Sequence, residues 1–208
     1  MTYLGGIPKI DDFAEASAPY LAAMPVPSPV RKHALSAVTV LLFGLAFWRL
    51  GLSPELPATL AFIFGGVLLA MIDWRVHRLP TRLVYLTLAG VTAGLMFASL
   101  VEWDWKPLAT AMVGALLFSS AYAAIWFLLP RMTGMMVLGF GDVRLALVLG
   151  ALLGWYGLNY VLYVAVLGHV LALVVGLGLC VRERKLHLRF AFGPPLLAGT
   201  LAVVLLHA

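Results

Sequence analysis

The sequence predicts an all-α polytopic membrane bundle of about seven transmembrane helices with a cytoplasmic N-terminus. Three observations carry this. First, 63% of the 208 residues are hydrophobic and 11% are charged, against about 45–50% and about 25% in a soluble domain. Mean hydropathy is +1.02, so a soluble globule would lack the polar surface to cover its apolar material. Second, apolar runs near the ~20 residues that span a bilayer recur along the chain, joined by tight turns. Third, the basic residues cluster on alternate turns, the pattern that orients membrane helices.

Residues 1–33 read as an aqueous tail, acidic at first and then proline-rich through Pro19, Pro25, Pro27 and Pro29. No apolar run begins before Ala34, so a cleaved signal peptide, whose apolar stretch lies within the first ~15–30 residues, is not expected. One transmembrane domain, 34–208, follows. Its spans are placed at 34–52, 56–73, 82–101, 107–129, 143–158, 160–180 and 190–207. The fifth is short, and Trp155-Tyr156-Gly157 leaves its far end open. No internal repeat is visible.

With the N-terminus inside, twelve basic residues face the cytoplasm: Lys9, Arg31, Lys32, Arg75, Arg78, Arg82, Arg131, Arg144, Arg182, Arg184, Lys185 and Arg189. Only Arg49 and Lys106 face outward. Trp48, Trp103, Trp105 and Trp155 fall at the outer boundary, as an aromatic belt would. The net charge of +5 thus reads as topology, not nucleic-acid binding, and the protein is expected in the inner (cytoplasmic) membrane, in contact with the lipid bilayer. Cys180 is the only cysteine, which removes intrachain disulfides and paired-cysteine metal sites. Gly90-xxx-Gly94 and Gly150-xxx-Gly154 read as close helix crossings.

Most acids lie in the tail (Asp11, Asp12, Glu15), in outer loops (Glu55, Glu102, Asp104) or in a basic inner loop (Glu183). Asp73, closing the second span, and Asp142, opening the fifth, do not. Ionisable groups at membrane depth mark function by default, and the topology brings both to the cytoplasmic edge. Two carboxyls close together cannot both ionise easily and hold one proton between them. One then activates a water while the other polarises a carbonyl, the chemistry of an aspartic protease. Which acid plays which part is left open because the pair titrates as a unit.

Gly139 and Gly141 precede Asp142 and permit close backbone approach and positive φ. The competing structural reading makes Asp142 a helix N-cap and Asp73 a boundary residue paired with Arg75 or Arg78. In Phe190-Ala191-Phe192-Gly193-Pro194-Pro195-Leu196 two readings stand level. One is unwound backbone bordering a polar site; the other is a plain helix start with the prolines in its first turn. His169, mid-span, reads as an interhelical hydrogen-bonding residue, and His77 as a headgroup contact. No HExxH and no GxSG-like serine site is present, which disfavours zinc and serine intramembrane proteases.

Three blocks resemble the type IV prepilin peptidases, membrane aspartic proteases of the GxGD type. Ile72-Asp73 with Arg78-Leu79-Pro80 is similar to the family's first aspartate, followed by proline seven residues on. Gly139-Phe140-Gly141-Asp142-Val143-Arg144-Leu145 is similar to its GxGD block, with Arg144 where lysine is common. Phe192-Gly193-Pro194-Pro195-Leu196-Leu197-Ala198-Gly199 is similar to its late block. The resemblance implies that Asp73 and Asp142 are the catalytic pair. Gly139, Gly141, Gly193 and Pro194 would border the substrate. That substrate would be a prepilin or pseudopilin, of a type IV pilus or a protein secretion system, whose basic leader is cut at the cytoplasmic face. No metal or other cofactor is implied. Larger members add a paired-CxxC region and N-methylate the new terminus; with one cysteine here, methyltransferase activity is not expected. The alternatives are another GxGD-type intramembrane protease, or a non-enzymatic transporter or assembly factor whose acids bind a proton or cation. Visible repeats and midplane acids would favour the transporter.

Overall fold

The computed structural model describes residues 29–76, 79–133, 139–183 and 193–207. Tail residues 1–28, His77, Arg78, Arg184, Lys185, Arg189 and residues 190–192 lie outside these. The chain divides into two units, Met1–Val38 and Thr39–Ala208. Everything below concerns the second, apart from the start of the helix that crosses the boundary.

All the regular structure described is helical: α1 (Pro29–Leu50), α2 (Leu56–Val76), α3 (Thr81–Glu102), α4 (Lys106–Thr133), α5 (Phe140–Tyr156), α6 (Leu158–Glu183) and α7 (Gly193–His207). Three of these helices are long and apolar enough to cross a membrane, over Leu56–Arg75, Thr81–Glu102 and Lys106–Met132. Their outward faces carry large apolar side chains such as Leu86, Met112 and Leu116. That is the surface of a membrane protein, since in water so much exposed apolar area drives association.

The helices extend past the apolar runs. α1 begins at Pro29 because proline's fixed φ suits the first helical position, and Arg31 and Lys32 are good helix formers that interrupt hydropathy without interrupting the helix. α4 likewise runs to Thr133 with Pro130 inside its last turn. α5 ends at Tyr156. Gly157 follows at φ 133°, a backbone conformation that favours glycine, and its N–H donates to the Leu153 and Gly154 carbonyls at 3.1 and 3.2 Å.

Packing fixes the register. α2 and α3 are antiparallel: a Cβ added at Gly94 would collide with the Ala58 backbone, and one at Gly90 would meet the Ala61 Cβ at 3.1 Å. α4 and α5 are antiparallel too. A Cβ at Gly154 would lie 2.5 Å from the Thr110 carbonyl oxygen, and one at Gly150 would strike the Gly114 backbone. Both small-residue pairs are therefore helix crossings. α5 is the central helix, packed on α3, α4, α6 and α7. Eleven of its residues, Val143 through Trp155, are buried, which explains a helix that is apolar all round.

One expectation about the bundle fails. Trp48, Trp103 and Trp105 are exposed at the end of the bundle away from Asp142, but Trp155 is 9% exposed and belongs to the core. Its place on the central helix turns it inward, so of the four tryptophans it alone cannot serve a belt.

Candidate functional site

The antiparallel register gathers the C-terminal turn of α2 and the N-terminal turns of α3, α5 and α7 at one end of the bundle. Asp73 lies one turn before the end of α2 and is 5% exposed. Its Oδ2 accepts the Gly193 N–H at 2.9 Å, a buried bond between residues 120 positions apart. Gly193 is the first residue of α7, with Pro194 and Pro195 in the first turn. Of the two readings for this stretch, the plain helix start holds from Gly193 onward. An N-terminal helix turn presents unbonded N–H groups and the positive end of the helix dipole, both of which favour a carboxylate. A Cβ at Gly193 would stand 2.7 Å from Asp73 Oδ2. The absent side chain is what lets the acid reach the backbone.

Asp142 sits in the first turn of α5 and is partly exposed. It is the third residue of the helix, not the N-cap; Gly139 holds that place, with φ −82° and ψ 149°. The Gly139 N–H donates to Asp142 Oδ2 at 3.2 Å, and the Asp142 N–H donates to the Gly139 carbonyl at 3.1 Å. The acid therefore does some capping from inside the helix, using one of its oxygens. Asp73 acts on Asp142 electrostatically, and two acids 69 positions apart in sequence lie at the same end of the bundle.

The two glycines before Asp142 have different duties from those their conformational freedom suggests. Gly139 is extended and Gly141 is helical; among the described glycines only Gly51 and Gly157 have positive φ. A Cβ at Gly141 would meet the Leu79 Cβ at 3.1 Å, whereas one at Gly139 would make only ordinary contact, 3.5 Å from Asp142 Oδ2. Gly141 thus admits Leu79, the residue ahead of Pro80 and α3, into the site wall. Pro194 continues the first turn that Gly193 begins.

Neighbouring helices hold the start of α5. Ser119 of α4 donates its hydroxyl to the Val143 carbonyl at 3.1 Å. Trp126 packs on Phe140 with ring centroids 5.1 Å apart. Arg144 hydrogen-bonds Thr81 at the head of α3 through Nη1, and its guanidinium lies 4.6 Å from the Phe140 ring centre. His169 is exposed on α6, and its Nδ1–H donates to the Ala165 carbonyl of the same helix at 2.5 Å.

Sequence reasoning passed over one residue beside this site. Tyr122 of α4 is 2% exposed, and the Asp142 carboxylate acts on it electrostatically. In sequence it is one aromatic among many on an apolar helix; only the α4–α5 register separates it from core packing. Among the described residues no group of three or more His, Cys, Asp or Glu is placed to hold a metal ion.

The molecule so described is an all-helical apolar bundle carrying two acids at one end. The sequence pattern of the type IV leader peptidase family matches residues 60–181. The prepilin leader peptidase/N-methyltransferase of Pseudomonas putida is 32% identical over 177 residues, 84% of this chain and 59% of that protein. That of Dickeya chrysanthemi is 36% identical over 178 residues, 82% of this chain and 57% of the relative. No solved structure matches. The chain belongs to the type IV leader peptidase family, a family of proteases. It spans under three fifths of the length of these curated relatives.

Proposed function

We propose that this chain is an aspartic endopeptidase of the inner membrane that removes the basic leader of prepilins or pseudopilins, with Asp73 and Asp142 as the catalytic pair. The observation that carries the reading is the electrostatic influence of Asp73 on Asp142 at one end of an apolar bundle. The basic residues at that end (Arg75, Arg82, Arg131, Arg144) support a cytoplasmic position for it by the positive-inside rule. A prepilin presents its cleavage site there, between a basic leader and an apolar helix.

The chemistry follows from the carboxyl pair. One acid is ionised and one protonated. The carboxylate takes a proton from a water molecule as its oxygen attacks the scissile carbonyl carbon; the other acid gives its proton to the carbonyl oxygen. The resulting gem-diol collapses when the C–N bond breaks, and a proton passes to the leaving nitrogen. Water is consumed, and the pair returns to one shared proton. Gly193 holds Asp73 through its N–H, and Gly139 holds Asp142 likewise, so neither acid has to be reoriented at the moment of reaction. Gly141, with Leu79 against it, and Pro194 would border the substrate backbone. Every group in the scheme is a carboxyl, a backbone amide or water. Cys180 is the only cysteine in these 208 residues, and methyl transfer forms no part of the reading.

The test is cleavage of a prepilin by the purified protein in detergent, read by mass. The expected result is a single cut between the basic leader and the apolar helix, abolished by Asp73→Asn and by Asp142→Asn. Wild-type rates in either variant would remove the pair from the mechanism. An untouched prepilin beside a cut, unrelated membrane peptide would point to another GxGD-type specificity.

A further inference from the structure

The paired acids leave one buried polar group beside them unaccounted for. The Tyr122 hydroxyl is buried and has no hydrogen-bond partner among the described residues. A buried polar group left unpaired is destabilising, and phenols inside proteins usually find a partner. Phenylalanine would fill the same volume without that cost. The ring is held firmly: it packs edge-on against Phe118, with centroids 5.0 Å apart, and lies 5.8 Å from the His169 ring.

Register explains why this hydroxyl stands where it does. Gly114 of α4 abuts Gly150 of α5, and Ser119 bonds Val143. Because the helices are antiparallel, eight residues on from Gly114 and eight back from Gly150 bring Tyr122 level with Asp142. The side chain faces the core, at the start of α5. Asp142 Oδ2 accepts the Gly139 N–H, and the Tyr122 hydroxyl bonds neither oxygen of that carboxylate.

We propose that the Tyr122 hydroxyl is a third catalytic group of this site, donating a hydrogen bond to the substrate's scissile carbonyl oxygen as it gains charge. No proton is transferred by the tyrosine. Its O–H stays intact and the hydrogen bond strengthens as the carbonyl becomes tetrahedral. A fixed donor aimed at developing charge in a water-poor site stabilises the transition state more than the ground state. The partner missing in the free protein is then supplied by the substrate. This inference rests on the reading of Asp73 and Asp142 as the hydrolytic pair.

The experiment compares Tyr122→Phe, Asp142→Asn and wild type, all purified in detergent, in steady-state cleavage of a prepilin and in thermal unfolding. For Tyr122→Phe, kcat is expected to fall about 10²-fold with KM changed less than about twofold, since the bond forms in the transition state. Its melting temperature is expected to equal or exceed that of wild type. A leader peptide with a hydroxyethylene group at the scissile bond should lose affinity for Tyr122→Phe, while a non-cleavable peptide lacking that hydroxyl should bind as before. Wild-type kcat in Tyr122→Phe with Asp142→Asn inactive would overturn the tyrosine proposal and leave the acid pair standing. Full activity in Asp142→Asn would overturn the pair itself. A Tyr122→Phe protein that melts earlier but turns over normally per folded molecule would make the residue structural and end the proposal.

Discussion

The two ends of the bundle use polar groups in different ways. At the end away from Asp142, polar side chains finish helices. Arg49 Nε donates to the Leu205 carbonyl at 2.7 Å, closing the open end of α7. Asp104 accepts the Lys106 N–H at 3.0 Å, opening α4. Tyr160 and His207 meet at 2.8 Å. Each of these contacts satisfies a helix end or a neighbour. At the Asp142 end, backbone groups also hold side chains: the Gly193 and Gly139 N–H groups hold two acids. Side chains complete the backbone at both ends, as Arg131 does for the Phe127 carbonyl near Asp142, but only the second end has two acids held by N–H groups from the starts of α7 and α5. Under the proposed function, those two acids are the catalytic pair.

That contrast can be broken in order of effect. Replacing either acid with asparagine keeps its shape and its hydrogen-bonding oxygen but removes the charge. Cleavage should fall about 10³-fold or more, with insertion and melting close to wild type. Gly193→Ala attacks the support instead. Its Cβ would sit 2.7 Å from Asp73 Oδ2 and must push the acid aside. A misplacement near 1 Å can cost about 10²-fold in turnover, so activity should drop by that order. Gly193→Ser should do no better, because any Cβ meets the same oxygen.

Gly150→Ala tests the crossing that sets the α4–α5 register. The new methyl collides with the Gly114 backbone, and overpacking of this kind costs about 1–3 kcal/mol. Thermal unfolding should move down, with a smaller change in turnover per folded molecule than Gly193→Ala gives. Arg49→Ala should be the mildest. It removes two side-chain-to-carbonyl bonds at the far end, to Leu205 and the longer one to Leu206, about 0.5–1.5 kcal/mol each, and should leave cleavage unchanged. A loss of activity in Arg49→Ala as large as in Gly193→Ala would erase the distinction between the two ends.

Much of the molecule was legible before any coordinates. Composition and run length give seven helices, and the positions of Asp73 and Asp142 on separate helices follow from topology alone. The helix start at Gly193-Pro194-Pro195 stood as one of two readings. Hydropathy misses the charged or capped turns at helix ends, which is why α1 starts at Pro29 and α5 at Phe140, ahead of their apolar runs. The inward turn of Trp155 was hidden because a tryptophan near a span end serves a belt or a core equally well. Gly193 looked like a loosening residue, but its duty is to make room for Asp73, a contact across 120 positions that no local pattern encodes. Tyr122 was silent for the same reason: its meaning comes from the register of two helices, not from its neighbours in sequence.

The central claim is that Asp73 and Asp142 share one site, and a cross-link tests it most directly. With Cys180→Ser as background, Asp73→Cys and Asp142→Cys are combined and treated with a short bifunctional thiol reagent in native membranes. Asp73→Cys combined with Asp104→Cys, which joins opposite ends of the bundle, serves as the control. An intramolecular link in the first pair and none in the control is the result expected here. A folded protein in which the first pair fails to link, or links no faster than the control, would contradict it.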